Sequence, residues 1–110
     1  MKRMTIAITL LLFGLALGMP ARAQETGEMV TRGRSVFFAQ GCYGCHTLGA
    51  AGTPIAPDLS RIGAKYSRSW LEGWLRDPAA QRPTAHMPKL ELSDNEVKAL
   101  AAFLASLTGP

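Results

Sequence analysis

The fold of this 110-residue chain turns on five residues, Cys42-Tyr43-Gly44-Cys45-His46. They hold both cysteines of the chain and one of its two histidines. Upstream, Met29 to Gln40 sets Val30, Gly33 and Phe37 at helical spacing, with Val36 beside them. Gly33 costs a helix interior about 1 kcal/mol relative to Ala, so it is either simply tolerated or lets another helix come close. Downstream, Gly41 to Pro57 reads as a loop, punctuated by Gly44, Gly49, Gly52 and Pro54.

Further along, Asp58 to Ile62 suits a helical turn stopped by Gly63. Ser67 or Ser69 can cap the next helix, and Ser69 with Glu72 fits a capping box. Trp70, Leu71, Trp74 and Leu75 form its contiguous apolar face, and Pro78 ends it. Ala79 to Leu92 is a second loop, containing Pro83 and Pro88. Ser93 and Glu96 make another capping box, followed at helical spacing by Val97, Leu100, Ala101, Leu104 and Leu107, with Gly109-Pro110 closing the helix. Beyond residue 23 there are three Val and two Ile, and nowhere does a strand-length stretch alternate apolar and polar. The expectation is an all-α domain of three main helices, short helical turns and irregular loops. No repeat or low-complexity segment interrupts it.

The N-terminus reads separately. Met1-Lys2-Arg3 is basic, Ile6 to Met19 is uncharged and Leu-rich, and Ala21-Arg22-Ala23 is a small-x-small cleavage signature. That order predicts a secretory signal peptide over residues 1–23, cleaved to leave a domain over 24–110, and hence a periplasmic location. The alternative is an uncleaved membrane tether. Cleavage removes Lys2, Arg3 and Arg22 from the formal +4, leaving nine basic and eight acidic residues, a net +1. No basic stripe interleaved with aromatics remains, which excludes a nucleic-acid partner. Lys65, Arg68, Arg76, Arg82 and Lys89 compose either a docking patch or an ordinary solvated surface. The remaining 87 residues are few for a self-sufficient core, and two cysteines allow only one bridge. Something else has to fill the centre.

The C-x-x-C-H motif supplies it. The pattern reads as a covalent c-type haem attachment site. Two thiols three residues apart reach the two vinyl groups of a porphyrin, and the adjacent His46 then lies under the iron as an imidazole ligand. Export suits this chemistry, because the haem is attached outside the cytoplasm. Rival readings are a dithiol redox pair, which calls for a thioredoxin-like βαβ context, a disulfide, or a zinc site. Zinc wants four ligands, and only Cys42, Cys45, His46 and His86 are on offer. A sixth iron ligand has three candidates: Met29 in the leading helix, and His86 and Met87 in the second loop. Pro88 holds Met87 extended, which helps present its side chain.

Taken in order, these residues resemble a small monohaem class I c-type cytochrome of the bacterial periplasm. The resemblance covers nearly all of Thr31 to Leu107. Gly33-x-x-x-Phe37 is similar to the glycine and aromatic of that family's first helix, and Ala56-Pro57-Asp58-Leu59 to its Gly-Pro-x-Leu segment. Trp74-Leu75-Arg76-Asp77-Pro78 is similar to its aromatic-Leu-x-x-Pro helix end, and Met87-Pro88 to its distal loop. Leu100, Phe103 and Leu104 match its last helix. A motif following the first helix separates the chain from four-helix cytochromes of the c′ kind, which carry it near the C-terminus.

The resemblance implies the cytochrome c fold and one haem c held by Cys42 and Cys45, with iron between His46 and Met87. It implies that Gly33 and Phe37 meet Phe103 where the terminal helices cross, and that the Pro57 carbonyl accepts from the other nitrogen of His46. Trp74 is expected near the methionine, and Tyr66, Arg61 and Trp70 near the haem propionates. Two strong axial ligands leave no site for substrate, so the expected function is a one-electron carrier, not an enzyme. Its redox protein partners would dock at the exposed haem edge, including transient docking on membrane respiratory complexes. The alternatives are a cytochrome subunit of a larger oxidase or reductase, and a haem-based sensor or peroxidatic protein.

Overall fold

The computed structural model of the chain describes residues 20–110. The signal segment expected over residues 1–23 therefore falls, up to residue 19, outside the described residues. The first helix, α1, runs Ala21–Ala39, eight residues further upstream than its apolar stripe indicates. Its early turns are polar, so no periodicity marks them. No proline follows Pro20 there to break the helix, and the Thr26 hydroxyl bonds back to the Arg22 carbonyl at 2.9 Å within it.

A 3-10 turn, Cys42–Gly44, follows, and then a two-residue antiparallel ladder of β1 (Thr47–Leu48) and β2 (Ala51–Gly52). The short helix α2 spans Ile62–Lys65. Gly63 does not stop a turn, as its composition suggests; it lies inside α2 and donates its N–H to the Leu107 carbonyl at 2.8 Å. Helix α3 spans Arg68–Arg76 and is capped by Ser67, whose Oγ accepts from the Trp70 amide at 3.1 Å. Ser69 is thus already within the helix, and Glu72 pairs with Arg68 at 3.5 Å instead of closing a capping box. Pro78 ends α3 and also opens α4 (Pro78–Gln81), so the second loop begins with a helical turn. A proline at the first helical position sacrifices no bond, since that N–H has no intrahelical partner.

Helix α5, Asp94–Ala105, starts on the expected capping box, with Ser93 and Glu96 exchanging side-chain and backbone bonds. It stops short of Leu107, whose carbonyl serves Gly63. Three main helices with short turns match the expected all-α architecture. Among the described residues, no helix is long and apolar enough to cross a membrane.

The core sits where α1 and α3 pack against α5. Phe37 meets Phe103 edge-on, with ring centroids 5.7 Å apart. The crossing is close because residue 33 is Gly: a Cβ there would sit 2.6 Å from the Ala99 carbonyl carbon and 2.7 Å from Phe103 Cβ. That resolves the two readings of Gly33 in favour of close approach. Leu71 and Leu75 carry α3 into the same core beside Val97, Leu100 and Leu104. Val36 and Leu59 border it, and around them lie half-buried apolar residues that include Cys42, Leu48, Tyr66, Trp70 and Met87.

Candidate functional site

The proximal half of the site is a loop knotted by backbone bonds. Gly41 takes the left-handed conformation, φ 72°, and turns the chain out of α1 into the motif. The Cys42 carbonyl accepts from Cys45 and His46 at 3.2 and 3.0 Å, closing the turn that carries the two cysteines. The Cys45 carbonyl accepts from both Ile55 and Ala56, at 3.1 and 2.7 Å. Gly52, at φ 104°, packs directly on the His46 carbonyl with no room for a Cβ. These ties bring Pro57 to His46, whose Nδ1 lies 2.7 Å from the Pro57 oxygen. A carbonyl only accepts, so Nδ1 carries the proton and the Nε2 lone pair is left for a metal.

Beside this bond lies another. Asp58 accepts from Thr47 Oγ1 at 2.6 Å, from the Gly49 amide at 3.1 Å and from the Ser60 amide at 2.8 Å. The Thr47 hydroxyl foremost, then Ser60, holds its carboxyl down to about 2. Sequence reading overlooks this cluster. Only the Asp58-to-Ser60 part, an Asx-turn spacing, leaves a local signal.

The other half is built by α3 and the second loop. Tyr66 and Trp70 stack with centroids 3.8 Å apart, and Trp70 on Trp74 at 5.4 Å, all near parallel. Trp74 Nε1 donates to Met87 Sδ at 3.2 Å, fixing the thioether against the core. Of the other two ligand candidates, Met29 receives the Arg68 guanidinium on its sulfur at 3.4 Å, and His86 is exposed. Arg61 packs along Gly109, and Tyr66 and Trp70 are engaged with each other. Within the suggested basic patch, Arg68 pairs with Glu72 and Arg76 with Asp94, while Lys65, Arg82 and Lys89 are exposed and form no ion pair among the described residues.

Cys42 and Cys45 are both free thiols in the structure. Burial pushes the Cys42 thiol up, with a smaller push from neighbouring Cys45. Among the described residues no three His, Cys, Asp or Glu side chains converge as a metal-ion site. The zinc alternative therefore lacks its geometry, and the two-residue ladder offers no thioredoxin-like sheet. The donor set suits a haem c instead. Two free thiols and an imidazole with its Nδ1 already engaged lie within five residues, and a half-buried apolar wall carries a thioether.

The profile of the family described as Cytochrome c matches residues 30–108. Cytochrome c oxidase subunit 2 of Alkalihalophilus pseudofirmus is 33% identical over 100 residues, covering 82% of this chain and 29% of that protein. A nitric oxide reductase subunit of Stutzerimonas stutzeri is 31% identical over 93 residues, covering 77% and 64% respectively. The thiosulfate dehydrogenase electron acceptor of the same species is 35% identical over 98 residues, covering 87% and 45%. The chain thus spans between under a third and just under two thirds of the length of these relatives. Among solved structures, the c-type cytochrome SorU from Sinorhizobium meliloti superposes with a TM-score of 0.59 at 22% identity, covering 76% of this chain and 94% of that one.

Proposed function

This chain belongs to the cytochrome c family, and from that premise we propose that it is an exported, periplasmic one-electron carrier with a single haem c. Cys42 and Cys45 would anchor it, and His46 and Met87 would be its iron donors. When bound, the haem supplies one-electron chemistry between ferric and ferrous iron. The chain's own residues do the rest. Pro57 keeps the proton on Nδ1 of His46 and orients the ring, which makes the imidazole a stronger donor through Nε2. Trp74 holds the Met87 sulfur. Leu71, Leu75 and Leu100 keep water from the centre of the domain.

The observation that carries this reading is that the fold tethers each of the two donors, one by a carbonyl and one by an indole N–H. With both donors on the iron, the site would move electrons and have no place for a reactant. Partners would be redox proteins meeting the exposed Cys45 side of the motif through a small transient interface. The test is an oxidised and reduced optical spectrum of exported protein, with carbon monoxide added to the reduced form. A haem c spectrum with the long-wavelength band of sulfur-ligated ferric iron, and no rapid carbon monoxide binding, is expected. Met87→Ala should abolish that band, lower the potential and admit carbon monoxide. Colourless exported protein, or a Met87→Ala spectrum identical to the parent's, refutes the assignment.

A second reading has one observation in its favour: two of the relatives are named as subunits of an oxidase and of a reductase. In that case the chain would serve as the cytochrome subunit of a membrane complex. Co-purification of the tagged chain with such a complex, against recovery as a free protein, separates the two.

A further inference from the structure

We propose that Asp58 is a positioning residue for His46, its carboxylate clamping the loop so that the Pro57 carbonyl stays on Nδ1. The proposal rests on His46 being the iron ligand. The geometry is a pair of parallel cross-links. His46 reaches Pro57, and the next residue, Thr47, reaches the next residue, Asp58, across the same two segments. The Leu59 amide adds a backbone tie to the Thr47 carbonyl at 2.9 Å. Pro57 has no N–H of its own, so its carbonyl is aimed only by its neighbours. On the upstream side Ala56 is bound to Cys45, and on the downstream side Asp58 and Leu59 are bound to Thr47.

The clamp is exposed to solvent, so its strength comes from charge and not from burial. An ionised carboxylate only accepts, and three donors converge on Asp58: the Thr47 hydroxyl and the Gly49 and Ser60 amides. The Ser60 hydroxyl also accepts from the Gly49 amide at 2.7 Å, tightening the same corner. The same donors hold the carboxyl down to about 2, so it is charged at neutral pH. An Asn at this position would turn an N–H₂ toward at least one donor and lose that bond.

A polarised imidazole favours ferric iron, so loosening the carbonyl should favour ferrous. In the holoprotein, Asp58→Asn and Thr47→Val should each move the ferric-to-ferrous ratio, at a fixed mediator potential, about threefold or more toward ferrous. Each should also shift the His46 ring resonances in the NMR spectrum of the ferric protein. Asp58→Asn also removes a negative charge, which acts in the same direction. Thr47→Val keeps the charge and removes only the tie, so it isolates positioning, and Thr47→Ser, which restores the hydroxyl, should return both readings to wild type. If Thr47→Val leaves the ratio and the His46 resonances unchanged, the clamp is overturned. A wild-type holoprotein whose His46 resonances show no bound iron overturns the ligand assignment and the clamp together.

Discussion

Substituting Ala for Gly33 sets two effects of opposite sign against each other. In an isolated helix the change is favourable, by about 1 kcal/mol. In this protein the new methyl would lie 2.6 Å from the Ala99 carbonyl carbon and 2.7 Å from Phe103 Cβ. Carbon atoms rest about 3.5–4.0 Å apart, so the α1–α5 crossing has to open by about 1 Å. The obstruction is backbone and cannot rotate away. The residues around it are packed tight: Phe37 and Leu100 are each 1% exposed. Overpacking costs about 1–3 kcal/mol, and a backbone obstruction places this case at the top of that range. Net of propensity, Gly33→Ala should destabilise the holoprotein by about 2 kcal/mol. For a domain of this size that is a fall in Tm of about 10 °C. Thermal unfolding followed by far-UV dichroism measures it. Gly27→Ala, on the same helix with open space around it, is the control and should not lower Tm. A Gly33→Ala protein as stable as its parent would mean that the crossing is looser than these distances allow, and the need for glycine there would fall away.

Trp74→Phe removes the only hydrogen bond to the Met87 sulfur among the described residues. Exogenous imidazole should then displace Met87 from the ferric protein several-fold more readily, for a lost bond worth about 1 kcal/mol; unchanged affinity in an optical titration removes Trp74 from that role. Ser93→Ala breaks the α5 capping box and should cost about 1 kcal/mol in guanidinium unfolding, whereas a loss near zero would show the cap to be idle. Asp58 has a folded pKa of about 2 against an ordinary 3.8. Its contribution is therefore complete above 3.8 and is lost as the pH falls through about 2. Asp58→Asn should flatten the acid limb of a stability–pH profile in that window, and a limb as steep as wild type would contradict the assignment.

What the sequence discloses of this protein follows from how far apart the interacting groups lie. The Ser93 box, the proline stop at Pro78 and the apolar stripes of α3 and α5 are local or periodic, and they stand in the structure where the pattern puts them. The polar start of α1 has no stripe, and its eight extra residues are invisible for that reason. Two serines compete to cap α3, and only the extended backbone of Ser67 decides between them. The end of α5 is set by Gly63, more than forty residues away, taking the Leu107 carbonyl.

The site divides along the same line. The cysteines and His46 announce themselves within five residues. What orients His46 does not, because Pro57 and Asp58 lie eleven and twelve residues on in a loop without period. The resemblance to cytochromes c is what points to Pro57, since a known family carries a non-local contact that no periodicity encodes. It is silent on Asp58, which stands at the family's variable position. A residue of that kind comes into view only when the loop is folded and its carboxylate is found gathering the hydroxyl beside one ligand and the amides of the turn around it.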